Sequence, residues 1–223
     1  MRGKLDTQAT IRRELKSQMR CQGGGDFMQF IDDVFSMRNP GYQSFGNFEF
    51  RLYEDPNQMI DFICRMNEKE GLCRTVAGYS WKWVSGKGKG NPRTIREFEL
   101  AGRERDIELD GKKYYWNLNS SQWILNSSPE EIGCVHTSQG YDLNRVGVIL
   151  GREIDFDPDS QSIIIDKNLF FDQKVKQQTT DAQLKTFIIN AYKVMLVRGI
   201  KGCYVYACNR GLREYLKQFI ATV

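Results

Sequence analysis

Cys134-Val-His-Thr-Ser-Gln-Gly-Tyr-Asp-Leu-Asn-Arg-Val-Gly-Val-Ile-Leu150 sets a compact polar turn, holding one glycine and one acid, directly before an apolar run. A Val/Ile-rich run of this length reads as a buried strand, and a polar turn at its end is where an α/β sheet offers backbone amides and side chains to a phosphate or nucleic-acid ligand. Gly140 lets the main chain approach a ligand closely, Gln139 offers an amide that both donates and accepts, and Asp142 can accept from a ribose hydroxyl or hold an arginine. His136 and Thr137 pair an imidazole with a hydroxyl, groups that bond phosphate or stack on a base.

Outward from this stretch, strands alternate with helices. Phe27, Phe30, Ile31 and Val34 recur at helical spacing after Gly23-Gly-Gly25, with Asp26 placed to cap. Phe48–Tyr53 alternates like a strand; Asp55-Pro-Asn-Gln58 then supplies a cap, a proline for the first helical position and a helix with Met59, Ile60, Ile63 and Met66 inward, ending at Gly71. Residues 72–78, 132–136, 145–150 and 203–207 read as strands, and Ile163–Ile165 as part of a small hairpin. Asp181 opens an amphipathic helix through Leu184, Phe187, Ile188, Ala191, Tyr192 and Met195 whose end delivers Arg198; Asn209 caps a last helix bearing Leu212, Tyr215, Leu216 and Phe219. Helices of this length between strands imply a parallel sheet covered on both faces.

Between about 80 and 130 the pattern changes to tryptophans, a Gly/Lys loop and Asp110-Gly111 between alternating residues, a type I′ hairpin signal. This predicts a β-rich insertion at 80–130 in a core formed by 1–79 and 131–223. Trp83 with Lys87 and Lys89 mixes a ring with cations that can stack bases and track a phosphate backbone.

At 223 residues, 40% hydrophobic and 27% charged, the chain has the make-up of a folded domain, and its net charge of +4 suits a polyanion without demanding one. Six cysteines contain no Cys-x-x-Cys pair and there is one histidine, so no zinc set of usual spacing exists and reduced thiols in the cytoplasm are expected. Neither a membrane span nor a signal peptide is expected.

Residues 136–146 carry the order His-Thr-x-Gln-Gly-x-acid-Leu-x-x-Val and resemble motif V of superfamily 1 helicases, with Asp142 where Glu is usual. Leu15-Lys-Ser-Gln-Met-Arg20 resembles motif IV, with Met19 in place of an aromatic, and Tyr192-Lys-Val-Met-Leu-Val-Arg198 resembles motif VI, with Val197 in place of the common Thr. The flanks, Ala77-Gly-Tyr-Ser-Trp-Lys-Trp83, Tyr115-Trp-Asn117 and Val197-Arg-Gly-Ile-Lys-Gly-Cys-Tyr-Val-Tyr206, resemble the Schlafen group 3-like DNA/RNA helicase domain family.

The resemblance implies a RecA-like parallel sheet forming the second motor domain of a helicase or nucleic-acid-dependent ATPase. It implies Arg198 as arginine finger with Arg20 as second phosphate sensor, a nucleotide contact at Gln139, Gly140 and Asp142, and a single-stranded DNA or RNA contact at His136 and Thr137. Ser85-Gly-Lys-Gly-Lys-Gly90 lacks the Walker A order, so ATP and Mg2+ are expected to be held by an N-terminal RecA-like partner domain of the same protein, and the isolated chain is expected not to turn over ATP. Two other readings compete: a nucleic-acid or protein-binding module without ATPase role, and a magnesium-dependent nuclease built on Asp106, Glu108, Asp110 and Lys112.

Overall fold

The computed structural model describes residues 21–87, 103–118 and 122–223. In chain order, α1 (Gly24–Phe35), β1 (Glu49–Leu52), α2 (Pro56–Glu70) and β2 (Cys73–Ala77) come first, followed by a hairpin, β3 (Ile107–Leu109) and β4 (Lys112–Tyr114), and a short helix α3 (Trp123–Asn126). Then come β5 (Leu143–Leu150), a second hairpin, β6 (Ile154–Asp157) and β7 (Ser162–Ile165), α4 (Gln173–Gln178), α5 (Asp181–Leu196), β8 (Gly199–Ala207) and α6 (Arg210–Leu216). The central sheet has the order β1-β8-β5-β2 and every pairing in it is parallel. This is the mixed α/β fold that the alternation of strands and helices predicts.

The central strands are apolar without alternation because both faces are covered: Val146 to Leu150 of β5 and Gly202 to Ala207 of β8 are buried throughout. On one face, Phe27 and Phe30 of α1, Leu184, Ile188 and Met195 of α5, and Leu212 and Leu216 of α6 pack on Val146, Val148 and Val205. The Phe27 ring lies 4.5 Å from that of Phe48 and 5.0 Å from that of Phe50, and each such pair contributes roughly 0.5–1.5 kcal/mol beyond its buried area. On the other face, Met59, Ile60 and Ile63 of α2 share one core with Ile107, Leu109, Tyr114 and Trp116 of the 80–130 stretch and with Tyr204 and Tyr206 of β8. A methyl on Gly147 would come within 3.1 Å of both Ile63 and Thr75, so the glycine lets α2 lie close on β5.

Local signals explain most boundaries. Asp55 accepts from the amides of Asn57 (2.7 Å) and Gln58 (3.1 Å), Pro56 follows, and Gly71 at φ +69° ends α2. Asp110 and Gly111 both take positive φ between β3 and β4, as a type I′ turn requires.

Three expectations need correction. α1 starts at Gly24 with Gly23 before it, and Asp26 sits inside the first turn, where its charge faces the positive end of the helix dipole without capping it. α5 opens at Asp181 as read, and Thr180 before it caps the helix in a capping box with Gln183. Asn209 precedes α6 but its side chain donates to Arg152 O and Ile154 O; the carboxylate of Asp155 instead accepts from the Leu212 amide at 2.8 Å. The strand read at 132–136 is a two-residue bridge, Ile132 to Trp116 and Gly133 to Val76, after which the chain turns.

Arg74 of β2 is 5% exposed, and its guanidinium donates to Asn67 Oδ1 (2.7 Å), Ile124 O (2.9 Å) and Ser127 O (3.3 Å), tying α2 and α3 to the sheet edge. Arg74→Ala strands those acceptors and is expected to cost on the order of 3 kcal/mol, against about 1 kcal/mol for Thr180→Ala, both read from the urea midpoint of unfolding.

Candidate functional site

Three segments converge where β5 and β8 begin. The Leu143 amide donates to Arg198 O at 3.1 Å, the Gln22 amide to Ile200 O at 2.8 Å, and the Asn144 amide to Leu72 O at 2.8 Å. Arg198 follows the C-terminal end of α5, where its amide donates to Met195 O at 3.2 Å, and it is half-buried. Asp142, exposed, immediately precedes Leu143. Arg20 lies outside the described residues, but Cys21 and Gln22, its successors, are at this same end of β8.

Beneath this edge is a charged lattice. Arg145 of β5 pairs with Glu70 (2.5 Å) and Glu49 (3.0 Å) and donates to the Tyr204 hydroxyl, while Lys201 pairs with Glu70 at 2.6 Å. Burial pushes the Glu70 and Glu49 carboxyls up, but the bonds from Lys201 and Arg145 to Glu70 and from Tyr204 and Arg145 to Glu49 outweigh it and hold both below the ordinary carboxylate value. The amino end of the sheet is thereby pinned from three strands and α2.

The turn 134–142 crosses from one end of the sheet to the other. It leaves Gly133, paired with Val76 near the carboxyl end of β2, and arrives at Leu143, paired with Gly199 at the amino end of β8. Thr137 is 3% exposed; its hydroxyl accepts from the Cys134 amide (2.6 Å) and donates to Cys134 O (3.0 Å), so it closes the turn. Ser138 is fully buried, whereas Gln139 and Gly140, at φ +89°, are exposed on the way down to Asp142. His136 is exposed at the other end, its ring 6.0 Å from that of Tyr79. The site residues therefore divide: Asp142 and Arg198 stand at the amino ends of the strands, and His136 beside Tyr79 toward the carboxyl end of β2.

Of the residues between 80 and 130, Trp83 is 38% exposed and Gly86 packs against its indole, while Trp81, Trp116 and Trp123 are buried. Lys87 closes a single 3-10 turn, Ser85–Lys87; Lys89 lies outside the described residues. Three of the four residues of the nuclease reading are engaged within the fold. Asp106 Oδ1 accepts from the amides of Val84 and Ser85, both at 2.8 Å, and its Oδ2 from Trp116 at 2.9 Å, while Glu108 pairs with Lys113 and Lys112 with Asp61. Among the described residues no group of three or more His, Cys, Asp or Glu side chains is placed to hold a metal ion.

Two features escaped the sequence reading. Glu153, 1% exposed, accepts from the Tyr192 hydroxyl at 2.5 Å, and that hydroxyl accepts from the Gly151 amide at 2.9 Å. A methyl at Gly78 would strike the Tyr192 hydroxyl and one at Gly151 the Glu153 carboxyl, which accounts for both glycines. The other is Arg152, exposed at the carboxyl end of β5, a position that the ligand rule for parallel sheets singles out.

Burial pushes the Glu153 carboxyl up despite the Tyr192 bond, so the folded chain favours its neutral form. An acid whose folded pKa is raised contributes stability that is fully present below its unfolded value, about 4.3, and is lost as pH rises through the folded value. The urea midpoint of the wild type is therefore expected to fall from acid to alkaline pH more steeply than that of Glu153→Gln; parallel profiles would contradict this.

Residues 2–209 match the Schlafen group 3, DNA/RNA helicase domain family. The chain is also similar to the uncharacterized protein YPL245W of Saccharomyces cerevisiae, at 29% identity over 181 residues, covering 76% of this chain and 37% of that protein. It thus spans little more than a third of that relative. No solved structure gives a significant match. Among the described residues no helix is long and apolar enough to cross a membrane. With the family match covering the parallel sheet and both edges just described, the chain belongs to the Schlafen group 3, DNA/RNA helicase domain family.

Proposed function

We propose that this chain is the second, RecA-like motor domain of a superfamily 1-like helicase or nucleic-acid-dependent ATPase. The observation that carries the reading is the main-chain bond from Leu143 to Arg198, which brings the end of the polar turn and the arginine after α5 together at the amino ends of two adjacent strands. Asp142, Gln139 and Gly140 are then on the turn that faces a nucleotide, and Arg198 stands at the same edge, with Arg20 two positions in sequence before the Gln22 that bonds to Ile200.

In this role the edge closes on ATP and Mg2+ gripped by an N-terminal RecA-like domain. Arg198 and Arg20 place guanidinium charge against the γ-phosphate as negative charge spreads over its oxygens; Asp142 accepts from the ribose or orients Arg198. The Glu70 and Glu49 pairs with Arg145 keep the edge rigid, so charge is presented without reorganisation. His136 contacts a single DNA or RNA strand at the far end of the turn that Thr137 holds shut, with Trp83, Lys87 and Lys89 supplying further ring and cation contacts. Closure of the two domains on ATP couples hydrolysis to movement along the strand.

In a protein carrying both domains, Arg198→Ala is expected to lower kcat by about 10³ or more while leaving single-strand affinity within a few-fold. Equal loss of turnover and strand binding would mean that Arg198 supports the fold instead. The isolated chain is expected to release no phosphate from ATP at steady state; sustained release would overturn the two-domain reading.

A further inference from the structure

The carboxyl end of the sheet carries a second set of cations, apart from the residues assigned above. Arg152 follows β5, and its amide donates to Ser80 Oγ (2.7 Å) and its guanidinium to Ser80 O (3.2 Å). Asn209 Nδ2 holds the Arg152 carbonyl at 2.9 Å, and Glu153 beside it is locked in the core. The Arg152 main chain is thus fixed from three directions while its side chain is exposed, the guanidinium 5.9 Å from the centre of the Trp81 ring. Next along the chain, the exposed ammonium of Lys82 sits 5.7 Å over the ring of Phe171, whose amide is bonded to Tyr79 O at 2.7 Å. Tyr79 in turn faces the exposed ring of His136.

Among the described residues neither Arg152 nor Lys82 makes an ion pair with a carboxylate. The acid that follows Phe171, Asp172, accepts from the amides of Lys174 and Val175 at the start of α4 and so is used within the fold. Two exposed cations, each seated on an aromatic ring, thus lie on segments joined through Tyr79 to the exposed imidazole of His136. Cations beside an exposed ring suit a strand of unpaired nucleotides, which offers both phosphates and base faces. An acidic peptide would use only the cations.

We propose that Arg152 and Lys82 are phosphate-contacting residues of a single-stranded nucleic-acid track along the carboxyl end of the sheet, running from Arg152 past Trp81 and Phe171 to His136. The proposal rests on the nucleic-acid role proposed above and extends it to residues outside the three motifs. Contacts of this kind read the backbone and not the base sequence, so the track favours no base strongly.

The test is fluorescence anisotropy of labelled oligo(dT) and oligo(rU) with the chain across a potassium chloride series, using Arg152→Gln/Lys82→Gln and, as a control, Lys113→Gln on the β3–β4 hairpin. Each single-strand phosphate contact contributes about 0.7 to the slope of log affinity against log salt, so the double variant is expected to bind more weakly with a slope smaller by about 1.4. Lys113→Gln should keep the wild-type slope, and polyglutamate should not displace either oligonucleotide. Lys82→Gln alone, at an exposed position, should lose about 0.7 and covers the case in which the double variant unfolds. A double variant with the wild-type slope, where the wild type binds, overturns the track and leaves the nucleic-acid role standing on His136. A wild type that binds neither oligonucleotide overturns both, and displacement by polyglutamate at matching charge overturns the track in favour of an acidic protein partner.

Discussion

The Leu143 amide meets the carbonyl of Arg198 at the first rung of the pairing between β5 and β8, and the arrangement of the site depends on that rung. It lies at the junction of two otherwise distant pieces of chain, the polar turn that ends at Asp142 and the helix α5 that ends just before Arg198. The register of β5 and β8 shifts between Leu143 and Arg145 and then runs from Arg145–Gly202 to Leu150–Ala207, where neither strand can slide without exposing its apolar run, so the rung stands at the irregular end where that fixed pairing begins. Arg145, paired with two carboxylates from neighbouring elements, reinforces the same end.

From this constraint comes the division of the motif into two ends. The turn 134–142 starts near the carboxyl end of β2 and finishes at the amino end of β5, and Thr137 spends its hydroxyl closing the turn in between. A single short segment therefore touches both ends of the sheet. In the proposed motor this is where nucleotide state and strand contact share a covalent connection, and the buried Tyr192–Glu153 bond adds a link from α5 to the residue beside Arg152.

What the residues made legible was local. Asp55-Pro56, Gly71, the Asp110-Gly111 turn and the periodicity of α5 act within a few positions, and each appears in the fold as read, with buried Leu184, Ile188, Tyr192 and Met195 along α5. What was missed depends on distant partners. Asn209 looks like a cap until Asp155, far away in sequence, takes the Leu212 amide. A strand through 136 is reasonable until the Thr137 hydroxyl binds the Cys134 amide that a ladder would need. The motif residues were named from resemblance; their separation between the two ends of the sheet was not, because it follows from the register of strands whose pairing no local pattern states. Arg152 is tied to the 80–82 segment through Ser80 and Phe171 through Tyr79, and nothing in the order of the residues signals that meeting.

Amide hydrogen exchange, followed by mass spectrometry on a protein that carries this chain together with the proposed nucleotide-gripping domain, tests the two-ended account most directly. A non-hydrolysable ATP analogue should slow exchange in 139–143 and 198–200, and a single-stranded oligonucleotide should slow it in 79–83, 136 and 152, each with little effect on the other set. Protection of both sets by either ligand alone, or nucleotide protection that misses 139–143 and 198–200, would contradict the division of this domain into a nucleotide end and a strand end.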